Sequence, residues 1–325
     1  MKKILSVIFA VSSIALLVGL TGCTKTIFDE FENEYVLKSG ELTLTEINGD
    51  LTTLKIPSSI DEYAVTAIGE NAFLRAEDVV SVTIPNSIKF IASDAFHGSD
   101  VLGEIILEEG NEAYKLINGN LYDIDVTTIF RYVVSNTSYA FSLPSTVTTI
   151  NDFAFAFGQL YNITLPSTLE KIDNYAFYRS ELIMISIPET VVSIGSWVFS
   201  GCFELAVVNL PKNITSIGDG LFNNCYSLLD IEIPSGVTSI GSQAFYQCKV
   251  ISEIIIPDTV TSINHSAFDG CIRLKEIFIP SSVETINGSI FGNCNITIST
   301  SLSERPSGWS EKFNSDNTVN WNVTA

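Results

Sequence analysis

The chain is poor in the residues that most enzyme chemistry draws on. Among 325 residues there are only two histidines, and 17 lysines and arginines face 37 acidic groups. His97 and His265 fall in loop positions of distant repeats, so no histidine cluster is available to hold a metal or activate a nucleophile. No GxSxG elbow, HExxH pair, phosphate-binding loop or dinucleotide fingerprint occurs. Serine and threonine are plentiful but occupy turn columns without an activating base. No catalytic residue, metal or cofactor is therefore assigned, and a non-catalytic role is expected. The formal net charge of −20 argues against nucleic acid and anionic lipid as partners. It suits soluble display, a cationic partner or divalent ions.

The first residues read as an export segment. Lys2 and Lys3 precede an apolar run, Ile4 to Leu20, that ends in Leu20-Thr21-Gly22-Cys23. The run approaches the length of a membrane-spanning helix. The cysteine directly after small residues favours cleavage instead, because the tetrapeptide resembles the bacterial lipobox. That resemblance implies a signal peptide over 1–22, acylation of Cys23 and a lipid-anchored protein facing the outside of the cell membrane. Residues 23–34 are read as the lipidated cysteine and a short tether. Nothing after them is apolar enough over a sufficient length to cross a bilayer.

A repeat fills most of the remaining chain. Pro144, Pro166, Pro188, Pro211, Pro234, Pro257 and Pro280 are spaced by 22 or 23 residues, and Pro57 and Pro85 belong to the same series. A fixed period in the twenties marks a solenoid. In one unit, Leu228, Ile231 and Ile233 precede the proline, and Val237, Ile240, Ala244 and Phe245 follow it. The first three make a period-two strand, which proline ends because it has no amide hydrogen to donate. Units stacked in parallel would bury a continuous core. Cys202, Cys225, Cys248, Cys271 and Cys294 share the 23-residue spacing, three residues after each phenylalanine. A metal site would gather its ligands at one point, whereas this ladder spreads them along an axis. The column reads as buried thiols, with disulfides between adjacent rungs as the alternative.

The ends depart from the period. Tyr35 to Thr45 alternates around Ser39-Gly40 and reads as a hairpin in an N-terminal cap over 35–56. Between Pro85 and Pro144 a hairpin insertion is expected at about 109–142, with Asn118-Gly119 as one turn. The repeat is followed to residue 298, and 299–325 is read as a C-terminal cap anchored by Trp309, Phe313 and Trp321. The repeated I-P-S-x-V-T-S-I-G-x-x-A-F-x-x-C, the opening IPSSIDEYAVTAIGENAF and the insertion NGNLYDIDVTTIFRY are similar to the BspA-like leucine-rich-repeat family. The resemblance spans about 35–325. It implies a right-handed arc of parallel strands, mainly β with short helical, 3-10 or irregular turns. It also implies a surface binder of host matrix or other cell-surface proteins, and it carries no shared catalytic residues.

Two columns are candidates for binding. By alternation, the residues four and two before each proline point outward. They become acidic and apolar toward the C-terminus: Asp230 and Glu232, Glu253 and Ile255, Glu276 and Phe278. This is a docking face for a cationic protein, a calcium site, or a solvated surface. The second column, just before the Ala-Phe pair, carries Phe153, Tyr175 and Trp197 on consecutive rungs. It is a recognition surface or a structural ladder. The favoured function is adhesion or protein–protein interaction. The alternatives are a structural role in envelope assembly and capture of a glycan or small-molecule nutrient.

Overall fold

The computed structural model describes residues 24–48, 51–133 and 140–324. Cys23 and the expected export segment lie outside the described residues. Among those described, no helix is long and apolar enough to cross a membrane.

The chain winds into a β-solenoid of about 12 turns built from parallel strands. Most repeats contribute two short strands. The first ends at the proline and forms what we call the front face. Its ladder runs through Ala140–Ser142, Asn162–Thr164, Met184–Ser186 and Val207–Asn209 in parallel register. The second strand follows the proline and forms a flank, as in Ser216–Ile217, Ser239–Ile240, Ser262–Ile263 and Thr285–Ile286. The connections are turns and bends, with no helix among the described residues. Inside, Phe155, Phe177, Phe199, Phe222, Phe245, Phe268 and Phe291 stack one per turn at 5.1 to 5.7 Å between ring centroids. Each fully buried phenylalanine is worth about 1.5–3 kcal/mol, and each offset ring pair adds about 0.5–1.5 kcal/mol.

Two stretches differ from the sequence expectation. Residues 25–28, assigned to a tether, form the strand Lys25–Phe28, antiparallel to Glu34–Lys38. Asp29 makes this possible: its carboxylate accepts the Phe31 and Asn33 amides at 2.9 and 3.0 Å and the Tyr35 hydroxyl at 3.1 Å, which turns the chain back. At the other end the coil continues past residue 298. Thr297–Ser299 pairs in parallel with Thr318–Asn320, and Trp309 bridges Ile286 in the flank ladder. Trp309 takes the column position of an isoleucine, 23 residues on, and its indole N–H donates to Val283 O at 2.9 Å. Only 21 residues separate the front strands of this last turn, so the proline period does not find it.

The inserted segment joins two hydrophobic clusters. Tyr114–Ile117 and Asn120–Asp123 form an antiparallel hairpin, and a third strand, Thr128–Arg131, leaves it to pair in parallel with Thr149–Ile150. Arg131 is buried where the clusters meet. Its guanidinium donates to Ser99 O at 2.6 Å on one side and to Phe153 O at 3.1 Å on the other. Burial pushes it down to about 10, with Asp100 acting in the opposite direction. A guanidinium's donor fork serves here because it bonds carbonyls of both coil segments at once.

Candidate binding surfaces

The aromatic column is a closed stack. His97 lies 4.2 Å from Phe153, Phe153 lies 4.8 Å from Tyr175, and Tyr175 lies 6.3 Å from Trp197, all within 13° of parallel. Beyond Trp197 the next turn carries Gly220, whose backbone approaches the indole so closely that a β-carbon there would collide with Cε3 and Cδ2. From Phe153 to Trp197 the ring faces thus lie against a neighbouring ring or the glycine. Phe153 is 6% exposed, so this predicted contact residue is withdrawn from the surface. Tyr175 and Trp197 are half-buried and, with His97 and Phe153, border a cavity. Sugar recognition by aromatic stacking needs a free face, so this column lends it no support.

These positions are also corners of the coil. Asn71, Phe153, Tyr175, Trp197, Gln243 and Ser266 all have φ between 52° and 61°, in the left-handed region. Most rungs take that conformation here, Asp94 and Ser289 being exceptions, and it costs an ordinary residue about 1–2 kcal/mol. The corner sets the conformation, while the stack supplies the reason to place rings on it. Beside the stack, Tyr178, Arg179, Phe203 and Tyr226 help enclose a cavity of about 640 Å³. The sequence reading missed these residues. Phe203 and Tyr226 are 23 apart, each directly after a cysteine of the ladder, and the same spacing could have identified them. Their rings stack at 5.0 Å, and Lys249 sits 3.9 Å over Tyr226.

The thiols form the interior ladder. Cys202, Cys225, Cys248 and Cys271 are buried, Cys294 is partly so, and none is in a disulfide. Each donates to the carbonyl of a phenylalanine on the preceding turn, for example Cys225 to Phe199 at 3.1 Å and Cys271 to Phe245 at 3.2 Å. Ser180 occupies the same column before Cys202, 3.3 Å from its sulfur. Burial raises all five; Cys202 is pushed up to about 12. A neutral thiol in such a place is neither a nucleophile nor a ready metal ligand. Among the described residues no three His, Cys, Asp or Glu side chains are arranged to share an ion, on this column or on the acidic one.

The front face is where the structure departs most from regularity. Asp230, Glu232, Glu253 and Glu276 are exposed, Phe278 is half-buried, and Ile255 is 72% exposed, the highest value among the large apolar side chains. The ladder fails across the same rungs. Val207 meets Asp230 at a single bridge, and the next pairing begins only at Glu276–Phe278 with Thr297–Ser299. Between them, residues 251–256 make no backbone hydrogen bond to another described residue. The same turns remain joined on the flank, through Ser239, Ser262 and Thr285, and at the corners, where Phe245 N donates to Ala267 O at 2.8 Å. The turns are therefore joined on the flank and at the corners, and in front Ile231, Ile254 and Ile277 stay only 3–5% exposed, as buried as Ile163 and Val208 on the regular rungs.

A column of like charge coincides with the missing pairing. Four residues before the proline, the ladder holds through Ala140, Asn162, Met184 and Val207, and again through Glu276, Thr297 and Thr318. It lapses from Asp230 to Glu253 and from Glu253 to Glu276, where two acids are neighbours, and also at the insertion, between Glu104–Leu107 and Ala140–Ser142. Carboxylates one rung apart repel by about 1 kcal/mol even in a water-like dielectric. That matches the net worth of a ladder hydrogen bond, about 0.5–1.5 kcal/mol. The N-terminal turns avoid the conflict, with Glu108 held by Lys55 at 3.5 Å and Glu41 by Lys89 at 3.6 Å. Among the described residues Asp230, Glu232, Glu253 and Glu276 have no ion pair. The resulting groove encloses about 740 Å³; Ile255, Phe278, Glu253 and Glu276 line it together with Asp258 and Ser299, and its floor reaches Ile254, Ile256 and Ile277.

Comparison with known proteins gives a consistent result. The pattern of the BspA type leucine rich repeat region matches residues 47–124, 127–252 and 238–315. A leucine-rich repeat protein from Eubacterium ventriosum ATCC 27560 is similar over 90% of this chain and 99% of its own, at 20% identity and a TM-score of 0.61. One from Bacteroides ovatus ATCC 8483 is similar over 93% of this chain and 70% of its own, at 23% identity and a TM-score of 0.55. A leucine rich cell surface protein from Faecalibacterium prausnitzii A2-165 aligns over 93% and 96%, at 22% identity and a TM-score of 0.49. The first two share the solenoid fold. No curated protein matches the chain.

Proposed function

Since the chain belongs to the BspA-type leucine-rich-repeat family, we propose that it is a non-catalytic binding module displayed outside the cell on an acylated Cys23. It captures a protein ligand through the C-terminal half of its front face. The observation that carries this reading is the groove itself, where the exposed Ile255 and the half-buried Phe278 sit among unpaired acids. An apolar centre within a charged rim is the usual anatomy of a protein interface. The acids select a cationic partner and speed its approach, and they repel other copies of the same acidic chain. Display rests on Lys2-Lys3, the apolar run and Leu20-Thr21-Gly22-Cys23.

The test compares what three forms of the chain from Thr24 onward retain from extracellular and matrix proteins. They are the wild type, Glu232→Gln/Glu253→Gln/Glu276→Gln, and Tyr175→Ser/Trp197→Ser. Each must first show an unchanged thermal transition. A partner kept by the wild type and the flank variant but lost by the front-face variant, and released by raised salt, supports the reading. Loss only in the flank variant, or identical retention by all three, refutes it.

A further inference from the structure

We propose that the cavity on the aromatic flank is a binding site for an acidic sugar residue, a pyranose ring that carries a carboxylate. It lies apart from the front face and does not depend on the function proposed there. The cavity sits where the turn length changes. Glu181 directly follows Ser180, but one turn on Phe203 is inserted between Cys202 and Glu204. Phe203 therefore begins a column that the shorter turns before it lack. One face of its ring rests on Tyr226 at 5.0 Å, and no other ring among the described residues lies against it. The side chain is 40% exposed and lines the cavity. It supplies the aromatic face that the stack from Phe153 to Trp197 withholds.

The polar groups around that ring define the ligand. Arg179, Gly201 and Asn224 follow one another in a single column and all line the cavity. Gly201, at a φ of 73°, leaves the room that the arginine stem occupies: a β-carbon there would come within 2.8 Å of Arg179 Cγ. The guanidinium carbon is 5.8 Å from the Tyr178 ring centre, and among the described residues it has no ion pair. A guanidinium without a carboxylate is suited to receive one through two parallel hydrogen bonds. Ser200 is 4% exposed and borders the cavity, and its hydroxyl has no hydrogen-bond partner among the described residues. A ligand hydroxyl would restore the bond that burial has cost it. Asn224 donates to Asn223 at 2.6 Å and keeps its own carboxamide oxygen for another donor. A cation, hydroxyl partners and one aromatic face together describe a carboxylated sugar, whose polarised C–H bonds pack on the negative face of a ring. The volume, about 640 Å³, lies in the range of small-molecule sites. The acidity of the whole chain is screened beyond about 8 Å at physiological salt, so Arg179 governs the charge felt inside. Asp94, the acid in the lining, stands two turns before Arg179 and accepts from Asn71 at 3.0 Å.

The chain from Thr24 onward, which holds every described strand, is titrated with four probes by isothermal calorimetry. Methyl β-D-glucuronide and methyl α-N-acetylneuraminide carry both ring and carboxylate. Methyl β-D-glucoside lacks the charge, and cyclohexanecarboxylate lacks the hydroxyls. At least one acidic glycoside is expected to bind at least fivefold more tightly than either of the last two, and which one it is separates a uronic from a sialic acid. Arg179→Gln should bring that glycoside to within twofold of the glucoside, and Phe203→Ala should weaken it at least fivefold. Both side chains are exposed, so the thermal transition should not move. Three results with the wild type overturn the proposal without any variant: no binding of either acidic glycoside, equal binding of the glucoside, or equal binding of cyclohexanecarboxylate. Acidic preference that survives in Arg179→Gln also overturns it, because the carboxylate would then be held elsewhere. The proposed function is tested separately, on the front face.

Discussion

Replacing Gly220 with alanine tests whether the aromatic column is closed. Gly220 has a φ of 59°, and a methyl there would overlap the Trp197 indole, with Cζ3 at 2.6 Å where about 3.5–4.0 Å is comfortable. Two costs combine. The left-handed conformation charges alanine about 1–2 kcal/mol. Displacing a ring whose opposite face rests on Tyr175 adds about 1–3 kcal/mol of overpacking. The sum is about 2–5 kcal/mol of lost stability. In a Trp197→Ala background the second cost disappears and about 1–2 kcal/mol remains. Urea unfolding followed by far-ultraviolet circular dichroism, with the slope of each transition checked for constancy, gives the four free energies of the cycle. The expected coupling between the two sites is about 1–3 kcal/mol. A coupling under about 0.5 kcal/mol, the scatter of independent sites, would mean that the indole does not rest on Gly220. Its outer face would then be free, and the aromatic column would regain its claim as a sugar-stacking surface.

The cysteines give two further expected outcomes. In the folded protein Cys202, Cys225, Cys248 and Cys271 should resist a thiol-reactive disulfide, with Cys294 modified first. Raising the pH from 7 to 9 should not speed the first four, because burial holds them protonated above their ordinary range; rapid modification of all five at pH 7 would contradict the buried ladder. In the full-length protein, Cys23→Ala should abolish labelling by a radioactive fatty acid and leave the export segment uncut, and labelling equal to wild type would remove the anchor.

The coil could be read from the sequence because each rung repeats the same chemical instruction. Proline ends the front strand, Ala-Phe faces inward, and the cysteine follows three residues later. Alternation also placed Asp230, Glu232, Glu253 and Ile255 on the outside correctly, since a strand offers only two sides. The last turn escaped because Trp309 and Phe313 fill the volume of the usual Ile and Phe at a different spacing. The closed state of the aromatic stack was hidden for a related reason. Whether a ring shows a face or an edge depends on what the adjacent rung supplies, here His97 across the insertion and Gly220 one turn on.

The opening in the front ladder was the least legible feature, although the acids that accompany it were in plain view. Each rung by itself carries a sound strand sequence. The conflict arises only when Asp230, Glu253 and Glu276 are set one above another, and the interaction is comparable in size to the hydrogen bonds it opposes. The fold does not demand these acids. The same column position holds Asn162, Met184, Val207 and Thr297 in turns where the ladder is intact. Solubility does not demand them there either, since Glu104 carries a charge in this column without disturbing its pairing to Ser81, whose hydroxyl donates to the carboxylate at 2.7 Å. Three acids in register therefore stand where two rungs lack this pairing, a coincidence that Glu253→Gln would test.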